Sequence, residues 1–499
     1  MTTRTLPAHL PPFAGTPRLP ARLGQPPAWA GAAILLVAAF LIRLPEFGNP
    51  AIQIDEQFYL LVGDRMLHGA VPYIDIWDRK PIGLFLLYAA IRLLGGVGIL
   101  QYQLVAACFA AGTAWGIARI ARKAAGEWPA IASGLLYLLW IETVEGGGGQ
   151  APVFYNLLMV AAAALVLRAA NGSDWRIFRR RSLAAMALVG VAMQIKYTVA
   201  VEGLFFGLVL TRQALRIAPP GRALRLSLLC AGTAMLPTLI ALAYYARLGA
   251  APAFLFANFT SIGLRAPPPS GGARLWLEFQ HVLPLALCCA ASWWQTRKEA
   301  DPDLRQWRLF LACWLAAAVL GFACVGAFYY HYLLPVYVPL AIGAAPIFGR
   351  LPIGPVLAGL AMWIPFHAID WPGDGERRIM RGSVEALAAL VPPEVDRGCM
   401  QMLDGPPSLY LLRHACLAGR WPFPDHLVSP TEAHAIGINP TQEIRRLMIA
   451  RPLVLVVGPP MEGAPGAALA MLRAGLAEGY RLNGTARYEG RTLSVYIRR

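Results

Sequence analysis

The residues best suited to chemistry lie between Asp55 and Pro81, in DEQFYLLVGDRMLHGAVPYIDIWDRKP. The adjacent carboxylates Asp55 and Glu56 open the stretch, and Asp78, Arg79 and Lys80 close it before a proline. Asp55 has two readings. It can be the N-cap of a helix whose apolar stripe is Phe58, Leu61, Val62 and Met66 and whose end is Gly69, with Glu56 favouring the helix dipole; or it can belong to a site. Lys80 also has two. A cation at a helix start at headgroup depth can meet any lipid phosphate, or it can hold the phosphate of a lipid-linked substrate as a point charge.

Most of the chain up to about residue 370 is apolar. The 499 residues are 57% hydrophobic and 14% charged, against about a quarter charged in a soluble domain. Repeated apolar runs of near-spanning length predict a polytopic α-helical membrane protein. The formal net charge of +16 then reads as basic cytoplasmic loops, and no nucleic-acid motif is present. The eight cysteines form no CxxC pair and no metal-ligand spacing.

Residues 1–28 read as a disordered cytoplasmic tail. Trp29–Ile42 reads as a retained signal anchor, with Arg43 snorkelling at its outer end. The first outer loop is 45–81. The run 82–96 is short and contains Arg92. If it crossed, ARIARK (118–123) and RIFRRR (176–181) would both face outward, so it is expected to lie in the interface. About eleven spans follow from this, within a membrane domain over 29–370. Residues 371–499 read as a small extracytoplasmic α/β domain, with strands at 399–403 and 453–458, helices at 441–449 and 467–480, and a closing hairpin. Cys399 and Cys416 both fall in this domain, either as a disulfide or as two free buried thiols.

Outside the first loop, the ionisable and polar candidates also gather at the outer ends of spans. Glu145, Gln150 and Asn156 lie by the second outer loop, whose GGGG run can bring backbone close to a ligand. Lys196, Tyr197 and Glu202 sit at the third turn, and Arg247 and Arg265 in the fourth loop. His331 lies in the aromatic belt FYYHYLLPVYVP.

The Asp-Glu pair followed by VPYIDIWDRKP resembles the GT-C class of membrane glycosyltransferases, and most closely its protein O-mannosyltransferase and aminoarabinose-transferase branch. FYYHYLLPVYVPL, QIKYTV and the C-terminal CMQMLDGPPSLYLL and RWPFPDH are similar to that branch as well. The resemblance implies a GT-C-like fold and transfer of a sugar from a polyprenyl-phosphate donor to an acceptor on the outer face, by single displacement with inversion. Asp55 would correspond to the catalytic carboxylate with Glu56 as its neighbour, and Lys80 to the lysine on the donor phosphate. Arg79, Arg247 and Arg265 would be further phosphate cations. Asp78, Glu145, Gln150, Asn156, Lys196 and Tyr197 are candidates for substrate contact. Relatives often place an acid in the second outer loop, where this chain has Gln150 and Asn156 with Glu145 further back. A divalent metal shared between the two loops is therefore not supported, and no other cofactor is expected. The competing classes are a transporter or flippase of lipid-linked substrates, and a non-catalytic lipid-glycan binding subunit.

Overall fold

The computed structural model describes residues 27–266, 271–299, 301–369 and 375–499. The tail expected over 1–28 falls outside the described residues up to residue 26, as do the opening residues of the C-terminal domain, 371–374. The membrane domain contains α1 (Ala28–Arg43), α2 (Ile54–Leu67), α3 (Ile82–Arg92), α4 (Ile99–Ala125), α5 (Glu127–Glu142), α6 (Ala151–Ala170) and α7 (Trp175–Met193). It continues with α8 (Val199–Ile217), α9 (Pro220–Arg247), the short α10 (Ala251–Leu255), α11 (Gly271–Thr296), α12 (Pro302–Ala323), α13 (Tyr337–Phe348) and α14 (Ile353–Ala368).

A helix lies on each stretch expected to span. Among the described residues, six of these helices are long and apolar enough to cross a membrane: α1, α4, α6, α9, α11 and α12. The remaining five fall short of that measure in length or apolar character. Small residues let the helices close on one another. Ala106, Ala110 and Ala114 of α4 are fully buried, and a Cβ at Gly134 of α5 would stand 2.8 Å from the Ala114 carbonyl oxygen. That distance is too short for any side chain, so the α4–α5 contact requires glycine there.

Two expectations about the first loop are corrected. Arg43 does not snorkel. It is 1% exposed, and its Nε donates to Glu142 Oε1 at 3.0 Å. A buried guanidinium needs a partner, and the carboxylate at the end of α5 supplies it. Nor is α2 an amphipathic helix with one apolar stripe. Glu56 through Asp64 are all buried, because α3 packs on one side and the C-terminal domain on the other. Gly63 is where α3 comes closest, since a Cβ there would meet the Ala89 backbone nitrogen at 2.6 Å.

The C-terminal domain contains α15 (Gly375–Leu390), the single turn α16 (Val395–Gly398), β1 (Met400–Met402), α17 (Ser408–Leu412), α18 (Pro440–Ala450), β2 (Val454–Val457), α19 (Gly466–Gly479), β3 (Tyr480–Tyr488) and β4 (Arg491–Arg498). Its sheet has the order β1-β2-β4-β3. The β1–β2 pair is parallel, in the register Gln401 opposite Leu455, and β4 runs antiparallel to both neighbours. The closing hairpin begins earlier than expected, at Tyr480. Cys399 and Cys416 are bonded, with Cα atoms 4.4 Å apart.

This domain is tied to the first loop. The Trp77 amide donates to the Arg420 carbonyl (2.8 Å) and Arg420 donates back to the Tyr73 carbonyl (2.8 Å). The Ser408 amide donates to Gln57 Oε1 at 3.1 Å, and Arg65 donates to the Ala415 carbonyl at 2.6 Å.

Candidate functional site

A cavity of about 410 Å³ opens where the first loop, the α7–α8 turn, the segment before α13 and the C-terminal domain converge. Its first-loop wall carries Asp55, Asp78, Arg79 and Lys80. Asp55 sits in the first turn of α2 rather than at its cap. Gln53 is the N-cap, with no side-chain capping bond. That frees the Asp55 carboxylate to face Lys80, whose Nζ lies 3.5 Å from Oδ2 and 5.4 Å from the centre of the Tyr59 ring. Lys80 immediately precedes Pro81, the N-cap of α3, so the α2–α3 packing fixes the distance between acid and base.

The electrostatics separate the four carboxyl and ammonium groups. Burial alone would raise Asp55, but Lys80 and then His331 outweigh it and hold the carboxyl down at about 2. Asp78 lacks a comparable pairing and burial lifts it to about 6; its Oδ1 accepts from the Arg79 amide at 2.6 Å. Asp55 in turn keeps Lys80 above an ordinary lysine despite burial. Lys196, from the α7–α8 turn, is pushed the other way, well below an ordinary lysine, by burial and by the charge of Lys80. Its Nζ lies 3.8 Å from the centre of the Tyr332 ring, and it forms no ion pair among the described residues.

Glu56 faces away from the cavity. Its carboxyl is packed against the 146–149 glycine run, and a Cβ at Gly148 would fall 2.1 Å from Glu56 Oε2. A Cβ at Gly149 would fall 2.3 Å from the Tyr88 hydroxyl, which donates to the Gly149 carbonyl. Gly148 and Gly149 thus bring the second loop against Glu56 of α2 and Tyr88 of α3. Burial raises Glu56 to about 8, only partly opposed by the Gly149 backbone and Arg43, so this carboxyl is protonated at neutral pH.

The other expected residues divide. Glu145, Gln150, Lys196, Tyr197 and Arg265 line the cavity. Glu145 Oε2 accepts from His331 Nδ1 at 2.8 Å; burial, which outweighs Glu145, keeps that imidazole below its ordinary pKa and neutral. Gln150 is buried, and its Oε1 has no partner among the described residues. Two residues are not in the site. Asn156 is a core residue that donates to the Tyr137 hydroxyl and the Leu334 carbonyl. Arg247 is the exposed last residue of α9 and does not line the cavity. The basic groups Arg79 and Arg265 are both engaged by Glu432 of the C-terminal domain, each at 2.5 Å.

Phe423, Asp425, His426, Glu432 and Glu489 form the wall supplied by the C-terminal domain, and no role in the site was assigned to them from the sequence. The one available signal was RWPFPDH, a cluster of polar and aromatic residues in an otherwise unremarked loop. Asp425, buried and near Asp404, is raised to about 7. Among the described residues no group of three or more His, Cys, Asp or Glu side chains is arranged to hold a metal ion.

A bundle of apolar helices, with α2 and α3 at one end beneath a mixed-sheet domain, defines a membrane protein with the GT-C fold. The model for the dolichyl-phosphate-mannose-protein mannosyltransferase family matches residues 79–258 of the chain. Its structure is similar to ArnT from Cupriavidus metallidurans in the apo state, with a TM-score of 0.64 at 17% identity over 94% of this chain and 98% of that one. It is also similar to the same protein bound to undecaprenyl phosphate, with a TM-score of 0.61 at 17% identity over 94% and 97%. The archaeal oligosaccharyltransferase AglB from Archaeoglobus fulgidus, in complex with an inhibitory peptide and a dolichol-phosphate, aligns with a TM-score of 0.52 at 10% identity over 91% of this chain and 72% of that one. No curated protein matches the chain by sequence.

Proposed function

We propose that the chain transfers a hexose or pentose from a polyprenyl-phosphate-linked donor to an acceptor on the outer face of the cytoplasmic membrane, by single displacement with inversion. The observation that carries this reading is the pairing, in one cavity, of a low-pKa carboxylate on Lys80 with a second lysine, Lys196, that has no ion pair among the described residues. A phosphate entering the cavity supplies the counter-charge that Lys196 lacks and competes with Asp55 for Lys80. As Lys80 turns to the phosphate, Asp55 loses the cation that depresses it and becomes a stronger base for an acceptor hydroxyl. The two lysines oppose the charge that develops on the departing phosphate oxygen. His331, fixed by Glu145 with its other ring nitrogen free to accept a proton, is placed to receive or relay that proton. Arg79 and Arg265 act indirectly, because Glu432 already occupies both. The outward position of the cavity is supported by the basic residues that lie at the other end of the bundle.

The test uses a deletion strain. A polyprenyl-phosphate sugar should accumulate in its lipid extract, readable by mass spectrometry, and the wild-type gene should clear it. Asp55→Asn should clear it about a hundredfold more slowly, the usual contribution of a general base. No accumulating lipid-linked sugar, or full clearance by a well-expressed Asp55→Asn protein, would overturn the proposal.

A further inference from the structure

A second cavity, also about 410 Å³, lies at the opposite end of the bundle. It is formed by the last turns of α4 and α6, the later half of α8 and the start of α12. These are the ends of α4 and α6 farthest from Tyr102 and Gln150, which stand at the glycine run and the first site. Its rim carries Arg119, Lys123, Arg168 and Arg212, and its wall is apolar, with Leu208 and Phe310 among the residues on it.

The charges are not balanced within the protein. Lys123 pairs with Asp303 at 3.4 Å. Arg119 leans over the Trp115 ring, 5.5 Å from its centre. The guanidinium groups of Arg119, Arg168 and Arg212 form no ion pair among the described residues. The wall is also not closed by protein: Leu208 of α8 is 61% exposed and Leu309 of α12, which also lines the cavity, 57%.

We propose that this groove binds an anionic phospholipid of the surrounding bilayer, with its phosphodiester at Arg168 and Arg212 and an acyl chain along Leu208 and Phe310. Two features select this occupant. Uncompensated arginines recognise an oxyanion, and a basic recess between helices at headgroup depth is where acidic lipid heads bind. The open apolar wall beneath them is of no use to a soluble anion but fits a hydrocarbon tail. The site is separate from the first cavity and does not depend on the reaction proposed there.

The test is native mass spectrometry of the full chain, purified in neutral detergent and depleted of lipid, then titrated with phosphatidylglycerol or with phosphatidylcholine of the same chains. Phosphatidylglycerol should be retained under activation that strips phosphatidylcholine. Arg168→Gln with Arg212→Gln should weaken that retention about thirtyfold, about fivefold for each arginine. Leu208→Trp keeps every charge but fills the apolar wall, and should weaken it as well. Arg179→Gln with Arg180→Gln removes two exposed arginines from the same face outside the groove, and should leave retention unchanged. Equal retention of the two lipids, an equal loss in the Arg179/Arg180 variant, or displacement of phosphatidylglycerol by inorganic phosphate would each overturn the assignment. The thermal midpoint of every variant is measured alongside, and the Leu208 variant decides the matter if the double arginine variant does not fold.

Discussion

Replacing Lys80 with methionine removes the cation that most strongly depresses Asp55 while keeping most of the length of the side chain. The Nζ–Oδ2 separation is 3.5 Å, and both side chains are about one-fifth exposed. At an effective dielectric constant of ~20, two unit charges at that distance attract by about 5 kcal/mol, enough to move a carboxyl by about three pH units. Burial would then act on Asp55 with less opposition, and its pKa should climb from about 2 to about 5. In the wild type the acid limb of kcat/KM that reports Asp55 lies below any workable pH; in Lys80→Met it should enter the measurable range near pH 5. The donor KM should rise at least about tenfold, with acceptor KM little changed, because the lysine is lost only to the phosphate. Lys80→Arg keeps the charge with a different geometry, so its acid limb should stay low while donor KM rises. The assay is sugar transfer by purified, monodisperse protein from pH 4 to pH 8, with donor and acceptor varied separately. An unmoved acid limb together with an unchanged donor KM in Lys80→Met would refute both the electrostatic link and the phosphate role.

Glu56, protonated when folded at neutral pH, favours the native state below its ordinary value of 4.5, and that contribution is lost as pH rises to about 8. Glu56→Gln mimics the neutral acid, so thermal midpoints from pH 5 to pH 9 should fall less steeply than in the wild type, with transfer largely retained. The bridge between Cys399 and Cys416 closes a loop of 17 residues' separation. Replacing both with serine should destabilise the C-terminal domain by about 3 kcal/mol, and reduction should add two hydrogens to the intact mass. Reporter fusions after Lys123, Arg181 and Arg297 should register as cytoplasmic and one after Glu145 as external. A cytoplasmic result at Glu145 would mean that α3 crosses the membrane.

The positions of the helices were legible because apolar length is a property of each segment by itself. That Asp55 and Lys80 share one charged loop was legible too, and the proline after Lys80 marks a helix start, but their pairing follows from the packing of α2 on α3. Long-range partners were not. Arg43 was read as snorkelling because its carboxylate, Glu142, lies 99 residues away. Asn156 resembled a loop residue because nothing local shows that the Leu334 carbonyl will meet it inside the core. The wall of the cavity made by Asp425, His426 and Glu432 depends on how the C-terminal domain docks on α2, through contacts such as Gln57 with Ser408 that leave no periodic trace in either segment. The glycine run announced a close approach but not which protein groups would make it, and these are Glu56 and Tyr88.

Glu432 stands between Arg79 and Arg265 at 2.5 Å from each, so the basic rim of the cavity already has an anion in place before any substrate arrives. Withdrawing one guanidinium toward an incoming phosphate would leave a buried carboxylate with half its compensation, and losing a partner in such a setting typically costs several kcal/mol. A ligand that recruits either arginine must therefore outbid the protein's own side chain. Its apparent affinity then includes the free energy of loosening the C-terminal domain, and a ligand content with the two lysines escapes that tax. Mutations far out on the mixed sheet can in this way alter donor affinity without touching the cavity, simply by changing how firmly Glu432 is held.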